Sequence, residues 1–255
     1  MSVSACAGLV EKADPDRFLA AMAAPLPARE ILFPLYAFNS EVARAPWVTQ
    51  EAMIAEMRLQ WWRDAIEEIE AGGDVRRHEV TAPLTKVLRE KPDLCAVLDD
   101  LILARRWDIY RDAFENQTDF IRYLDQTSGT LMWASAHLIG ADRSLEGHIR
   151  SIGQAHGLAQ FFLAIPELER RGRIPLVDGR PAALRAMATD ALKDFAMARK
   201  TSFGAATPAL RAAWRSKAIL THVVQDPSAV ADGLLGESEF HRRGRLLVKT
   251  VLGRW

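Results

Sequence analysis

The chain has 255 residues, with 33 basic and 33 acidic side chains and a formal net charge of zero. No global field draws it to nucleic acid, and no nucleic-acid partner is expected. Cys6 and Cys95 are too few for a disulfide framework or a zinc ribbon and fit a reducing compartment. The start lacks a basic segment followed by an apolar core, and no apolar run approaches the roughly 20 residues that cross a bilayer. A cytoplasmic protein is expected, with peripheral contact at an inner membrane left open.

In chain order, residues 1–13 read as a flexible N-terminus and 14–255 as one helical domain. A short helix opens at Asp14-Pro15-Asp16, with an aspartate at its N-terminus, and Pro25 and Pro27 break it. From about Ala28, Ile31, Leu35, Phe38 and Val42 recur at three- and four-residue steps, as one face of a helix requires. Pro46 biases Ala45 away from helical geometry, which predicts an end near Arg44. Thr49 reads as the N-cap of the next helix, with Glu51 in its first turn. Ile54, Met57, Trp61 and Ala65 form its predicted buried stripe, and Trp61 reads as core. Gly72-Gly73 ends it.

Two further helices are predicted, Pro83–Arg89 and Asp93 to about Arg111, the second with Leu94, Val97, Leu98, Leu101 and Ile102 inward. Thr118 caps a long helix to Ile139, stopped by Gly140. Another runs from about Ser144 to Ile165, before Pro166. Residues 170–177 read as a loop, and Pro181–Arg199, Pro208–Val224 and Glu239–Leu252 complete the chain. No repeat, alternating strand pattern or long linker is found, so the expected class is an all-α, single-domain helical bundle.

Candidate chemistry is sparse. Asp108…Asp112, among Arg105, Arg106 and Arg111, and Asp190…Asp194, around Lys193, have helical spacing but read as solvated charge. His137, His148 and His156 lack ligand spacing and read as packed or surface histidines; His156 sits on a face of small residues. No nucleophile has a visible base. Gly153, Gly157 and Ala164, with Ser128 and Ser135 opposite, mark either a cavity between two helices or their close packing. Arg170, Arg171 and Arg173, with Arg44, form either a basic rim at its mouth or a solvated loop.

Several stretches resemble the squalene/phytoene synthase family: Asp16-Arg17-Phe18-Leu19, Leu35-Tyr36-Ala37-Phe38, Arg58-Leu59-Gln60-Trp61-Trp62-Arg63, YLDQTSG from Tyr123 to Gly129, Gly153-Gln154-Ala155 and Gly172-Arg173-Ile174-Pro175-Leu176. The resemblance implies an isoprenoid-synthase-like bundle. Active members carry aspartate-rich motifs resembling D-D-x-x-D and N-x-x-x-D-x-x-x-D, which hold magnesium against a diphosphate. The matching positions here are Ala43, Arg44 and Trp47, then Gln160, Ala164 and Leu168. The resemblance therefore implies no catalytic residue, no metal and no cofactor.

Ala37-Phe38-Asn39-Ser40-Glu41-Val42-Ala43 and Arg58-Leu59-Gln60-Trp61-Trp62 are similar to a non-enzymatic branch of that superfamily, the phytoene-synthase-like assembly factors of mitochondrial complex I. That likeness implies a respiratory membrane complex, or its subunits, as partner. Two alternatives stay open: a divergent prenyl-diphosphate transferase, for which magnesium would be expected, and a protein that holds an isoprenoid or lipid ligand without turnover. Arg44, Ser128, Gly153, His156, Gly157, Gln160, Arg170, Arg171 and Arg173 are the candidate cavity and rim residues.

Overall fold

The structure, a computed structural model, describes residues 2–110 and 112–255, and every regular element among them is helical. Helices α1 (Val3–Ala13), α2 (Pro15–Met22) and α3 (Leu26–Arg44) lead into α4 (Ala52–Glu70), α5 (Thr81–Leu88) and α6 (Leu94–Ala104). Then come α7 (Gln117–Leu124), a π turn (Asp125–Gly129), α8 (Thr130–Leu138) and the long α9 (Glu146–Arg170). The chain closes with α10 (Pro181–Ala198), α11 (Thr207–Leu210), α12 (Ser216–Gln225), α13 (Ser228–Ala231) and α14 (Glu239–Val251). No helix of the described residues is long and apolar enough to cross a membrane.

The bundle is built around α3, α8 and α9. Every residue of α8 is buried, as is the α3 segment from Leu32 to Asn39, which is the pattern of helices surrounded on all sides. Leu35, Phe38 and Val42 are fully buried, as their periodicity predicts. α3 ends at Arg44, and a 3-10 turn, Ala45–Trp47, follows it. Pro25 and Pro27 act as starters of α3 rather than breakers, since a first-turn proline gives up no helical hydrogen bond.

Several expectations are corrected. Residues 3–13 of the expected flexible N-terminus form α1, capped by Ser2 and pinned by buried Cys6 and Val10 against α3. The buried face of α4 is Ala55, Leu59, Trp62, Ala65, Ile66 and Ile69, so of the expected stripe only Ala65 is fully buried, and Met53, Ile54 and Met57 are exposed. Trp62, edge-on to Phe38 at 5.5 Å, is thus the core tryptophan, and Trp61 is half-buried beside it. The α4 cap is Glu51, while the Thr49 hydroxyl accepts from the Glu51 N–H at 3.1 Å. α6 gives way to a 3-10 turn, Arg105–Asp108, and the predicted end at Arg111 lies outside the described residues. Asn116, rather than Thr118, caps α7 by accepting from the Asp119 N–H at 3.0 Å. Pro166 sits inside α9, which continues to Arg170. The predicted helix over Pro208–Val224 is divided into α11, a 3-10 turn and α12.

Candidate functional site

The site is built where the π turn packs against α9. Gly153 makes that approach possible: a Cβ there would lie 2.7 Å from both the Gly129 Cα and the Ser128 carbonyl oxygen. At Gly157 a Cβ would meet the Ser128 Cβ and hydroxyl, each at 2.7 Å. The small residues therefore mark close packing at Gly153, and beyond Gly157 the helices part to leave a cavity. Its volume is about 370 Å³, and Ala43, Trp47, Arg105, Asp108, Tyr123, Ser128, Gly157, Gln160 and Arg171 are among the residues that line it. Leu124, Phe161, Ala164 and Leu168 supply apolar wall.

The floor of the cavity is a buried polar triad. The Tyr123 hydroxyl donates to Asp108 Oδ2 at 3.0 Å, and Arg105 Nη1 donates to the same carboxylate at 3.3 Å and to the Tyr123 oxygen at 3.0 Å. Burial pushes the Asp108 carboxyl above its usual range, against the pull of Arg105 and the Tyr123 hydrogen bond. Burial likewise raises the Tyr123 phenol. Arg105 Nε is buried with no partner among the described residues. Asp108, expected on a solvated face, is thus 4% exposed because the 3-10 turn rotates it inward. Asp190 stays on the surface, paired with Lys193 at 2.7 Å.

Each of Arg170, Arg171 and Arg173 has a partner. Arg173 is buried between Trp47 and Trp107, its guanidinium 5.0 and 5.3 Å from the two ring centres. It donates to the Tyr110 carbonyl at 2.8 Å, the Trp107 carbonyl at 3.2 Å and the Asp108 carbonyl. Arg171 lies 4.9 Å over Trp47 and pairs with Glu167 at 2.5 Å. Arg170 pairs with the same carboxylate and is exposed. Arg170, Arg171 and Arg173 border a second, polar recess of about 510 Å³ that shares Trp47, Asp108 and Arg171 with the cavity.

Ser128, Gly157, Gln160 and Arg171 are therefore brought together at the cavity, with Arg170 and Arg173 in the adjoining recess. Three candidates lie elsewhere. Arg44 points away and pairs with Glu41 at 2.8 Å. Gly153 is consumed by helix packing. His156 faces the opposite side of α9, its Nε2 3.2 Å from Arg17 Nη2 and its Nδ1 3.0 Å from the Ser216 hydroxyl. Burial, aided by Arg17, pushes its pKa down to about 3, so the ring is neutral.

Arg105, Asp108 and Tyr123 are absent from the candidate cavity and rim residues; the Asp108…Asp112 spacing among arginines, read as solvated charge, and the Tyr123–Gly129 motif are their signals in the sequence. Among the described residues no group of three or more His, Cys, Asp or Glu side chains is placed to hold a metal ion. Of the carboxylates at the cavity, Glu167 is held by two arginines and Asp108 by Tyr123 and Arg105. The arrangement does not fit a magnesium cluster, which needs several oxygen ligands and water.

The squalene/phytoene synthase family matches residues 10–178. The chain is 29% identical over 177 residues to a "NADH dehydrogenase (ubiquinone) complex I, assembly factor 6 homolog" of Drosophila melanogaster, covering 68% of this chain and 53% of that protein. It is 27% identical over 171 residues to "NADH dehydrogenase (ubiquinone) complex I, assembly factor 6" of Bos taurus, covering 66% and 51%. The chain spans about half the length of the curated relatives it matches. A dehydrosqualene synthase crystal structure in complex with ligand superposes with a TM-score of 0.82 at 17% identity, over 98% of this chain and 96% of that one. The squalene synthase HpnC from Alicyclobacillus acidocaldarius superposes at 0.59 and 16% identity, over 98% and 94%. At such identities the likeness shows the shared fold.

Proposed function

This chain belongs to the squalene/phytoene synthase family, and from that premise we propose that it is a non-catalytic member acting in the assembly of a respiratory membrane complex of the NADH dehydrogenase type. One observation carries the non-catalytic part. At the family's metal-motif positions that border the cavity, Ala43, Trp47, Gln160, Ala164 and Leu168 offer no carboxylate. Ionising an allylic diphosphate requires stabilising a highly charged leaving group, and metal ions contribute several kcal/mol to that. Here Arg171 and Arg173 stack on Trp47 beside those positions, Arg171 bonded through Nε to Glu167 and Arg173 to backbone carbonyls. The assembly part draws on the relatives that carry that name.

Deleting the gene tests the role. The expected outcome is loss of the assembled NADH-oxidising complex on a native gel, with its subunits captured by the tagged chain. An unchanged complex and no captured subunit would refute the assembly reading. The cavity of about 370 Å³ favours a second reading, in which one isoprenoid or lipid tail is held there without turnover; that volume lies near the lower end of ligand pockets, roughly 300–1,000 Å³. Native mass spectrometry of the purified chain, showing or lacking a co-purifying lipid that Gly157→Leu removes, decides it.

A further inference from the structure

Helix α14 is amphipathic the wrong way round for a surface helix. A surface helix of a globular domain turns its apolar stripe inward and its charges to water. In α14 the charged face is the docked one. Arg242 pairs with Asp16 of α2, and Arg245 reaches Glu237 at 2.8 Å. Glu237 lies 3.7 Å from Arg215, which itself pairs with Asp16. Of the helix only Leu246 is buried. On the outward face Phe240, Leu247 and Val251 follow one another at helical spacing and are 85, 64 and 75% exposed, with Val248 beside them at 57%. The connector after α14 returns the chain to the body, where Trp255 packs on Phe195 and Phe203. The apolar face is therefore held outward by its own anchors.

The charge around this face is basic in balance: Arg243, Arg254 and the half-buried Lys249 border it, against one exposed carboxylate, Glu239, which Arg242 and Arg243 hold. From Glu237 to Trp255 there are five basic residues and two acidic ones, in a chain of zero net charge. Arg199, Arg245 and Lys217 lie close enough to Lys249 to press on its ammonium, which burial and these neighbours together lower to about 8. Arg243 is exposed at the edge of the apolar stripe. A second copy of the chain would bring an identical basic border against this one, which like-charge repulsion opposes. An apolar helix face about 20 Å long, by the rise of 1.5 Å per residue over 13 residues, with a basic border is the form that lies in the headgroup region of an anionic bilayer.

We propose that the outward face of α14 is a docking surface for an anionic lipid bilayer, with Phe240, Leu247, Val248 and Val251 entering the headgroup boundary and the surrounding basic residues reading the surface charge. The inference stands apart from the assembly role: a chain that binds vesicles without supporting complex assembly would refute only the latter.

Flotation of the full chain with vesicles tests it, comparing phosphatidylcholine alone with phosphatidylcholine mixed with phosphatidylglycerol. The chain is expected to float with the anionic vesicles, to be released by salt, and to stay down with phosphatidylcholine alone. Leu247→Asp with Val251→Asp abolishes flotation, and Arg243→Glu with Arg254→Glu weakens it by at least roughly tenfold. Met53→Asp with Met57→Asp, on the exposed side of α4, leaves it unchanged. Both cysteines are buried, so a Leu247→Cys protein takes an environment-sensitive label selectively; its emission is expected to shift to the blue on anionic vesicles, which needs no destabilising variant. No flotation at low salt, equal flotation of the Leu247/Val251 variant, or a label blind to vesicles would overturn the proposal. So would a self-association that the same variant abolishes, which would assign the face to a second copy.

Discussion

Gly153→Ala isolates the contact on which the site geometry depends. The added Cβ would sit 2.7 Å from the Gly129 Cα, 2.7 Å from the Ser128 carbonyl oxygen and 2.9 Å from the Met132 Cβ. Two of those atoms belong to the backbone of the π turn, so no rotamer change relieves the clash. Alanine gains about 1 kcal/mol over glycine in helix propensity. Overpacking costs about 1–3 kcal/mol and more where backbone must move. The net expectation is a loss of about 2 kcal/mol, or roughly 4–8 °C in Tm for a chain of this size. Urea unfolding followed by circular dichroism measures it, as a lower midpoint at unchanged slope. Gly157→Ala meets only the Ser128 side chain at 2.7 Å, so Ser128→Gly should relieve it, with a coupling of about 1 kcal/mol in a double-mutant cycle. The same second substitution should leave Gly153→Ala unrelieved. A Gly153→Ala protein as stable as the parent would refute the claim that this glycine sets the distance between the π turn and α9.

Three further outcomes follow from the buried polar groups. Asp108→Ala leaves Arg105 as an unbalanced buried charge and should cost about 3–5 kcal/mol in urea unfolding, with Asp108→Asn costing less because the Tyr123 hydroxyl keeps an acceptor. His156, with its pKa lowered to about 3 by burial, takes up a proton in the unfolded chain but not in the folded one as pH falls below its unfolded value. Its contribution is thus intact above about pH 6.5 and lost toward pH 3, at up to about 1.4 kcal/mol per pH unit, and His156→Gln should flatten the stability profile in that window. Lys249, lowered to about 8 by burial and its basic neighbours, is strained while charged. Stability should therefore rise from about pH 8 toward the unfolded value near 10.4, and Lys249→Met should stabilise the chain by about 1 kcal/mol at pH 7 in thermal unfolding.

The order of the helices was legible because long apolar stripes and proline or glycine punctuation report directly on burial. α3 is the clearest case, its stripe and its end at Arg44 both read from the chain. α4 was misread by a rotation. Ile54, Met57, Trp61 and Ala65 make a plausible stripe, but Ala55, Leu59, Trp62, Ile66 and Ile69 keep the same spacing over a longer run, and the longer run is buried, with Ala65 beside it. α1 was missed because its core-facing residues, Cys6 and Val10, are few; what orders it is the tertiary face of α3.

The site was half visible for a related reason. Spacing on α9 groups His156 with Gly157 and Gln160, which line the cavity, although one residue of helical rotation turns His156 toward Arg17 and Ser216. Asp108 was invisible as a buried group because extending α6 as a regular helix leaves it among arginines in solvent. The 3-10 turn changes its direction, and only the fold brings Tyr123 to it.

The most direct test of a non-catalytic site is diphosphate release from farnesyl and geranylgeranyl diphosphate by the purified chain with excess magnesium, run beside an active synthase of the family. The expected result is no release above the enzyme-free rate while the control turns over. Sustained, magnesium-dependent release that Arg105→Ala or Arg171→Ala abolishes would contradict it and place an ionising diphosphate site at the cavity.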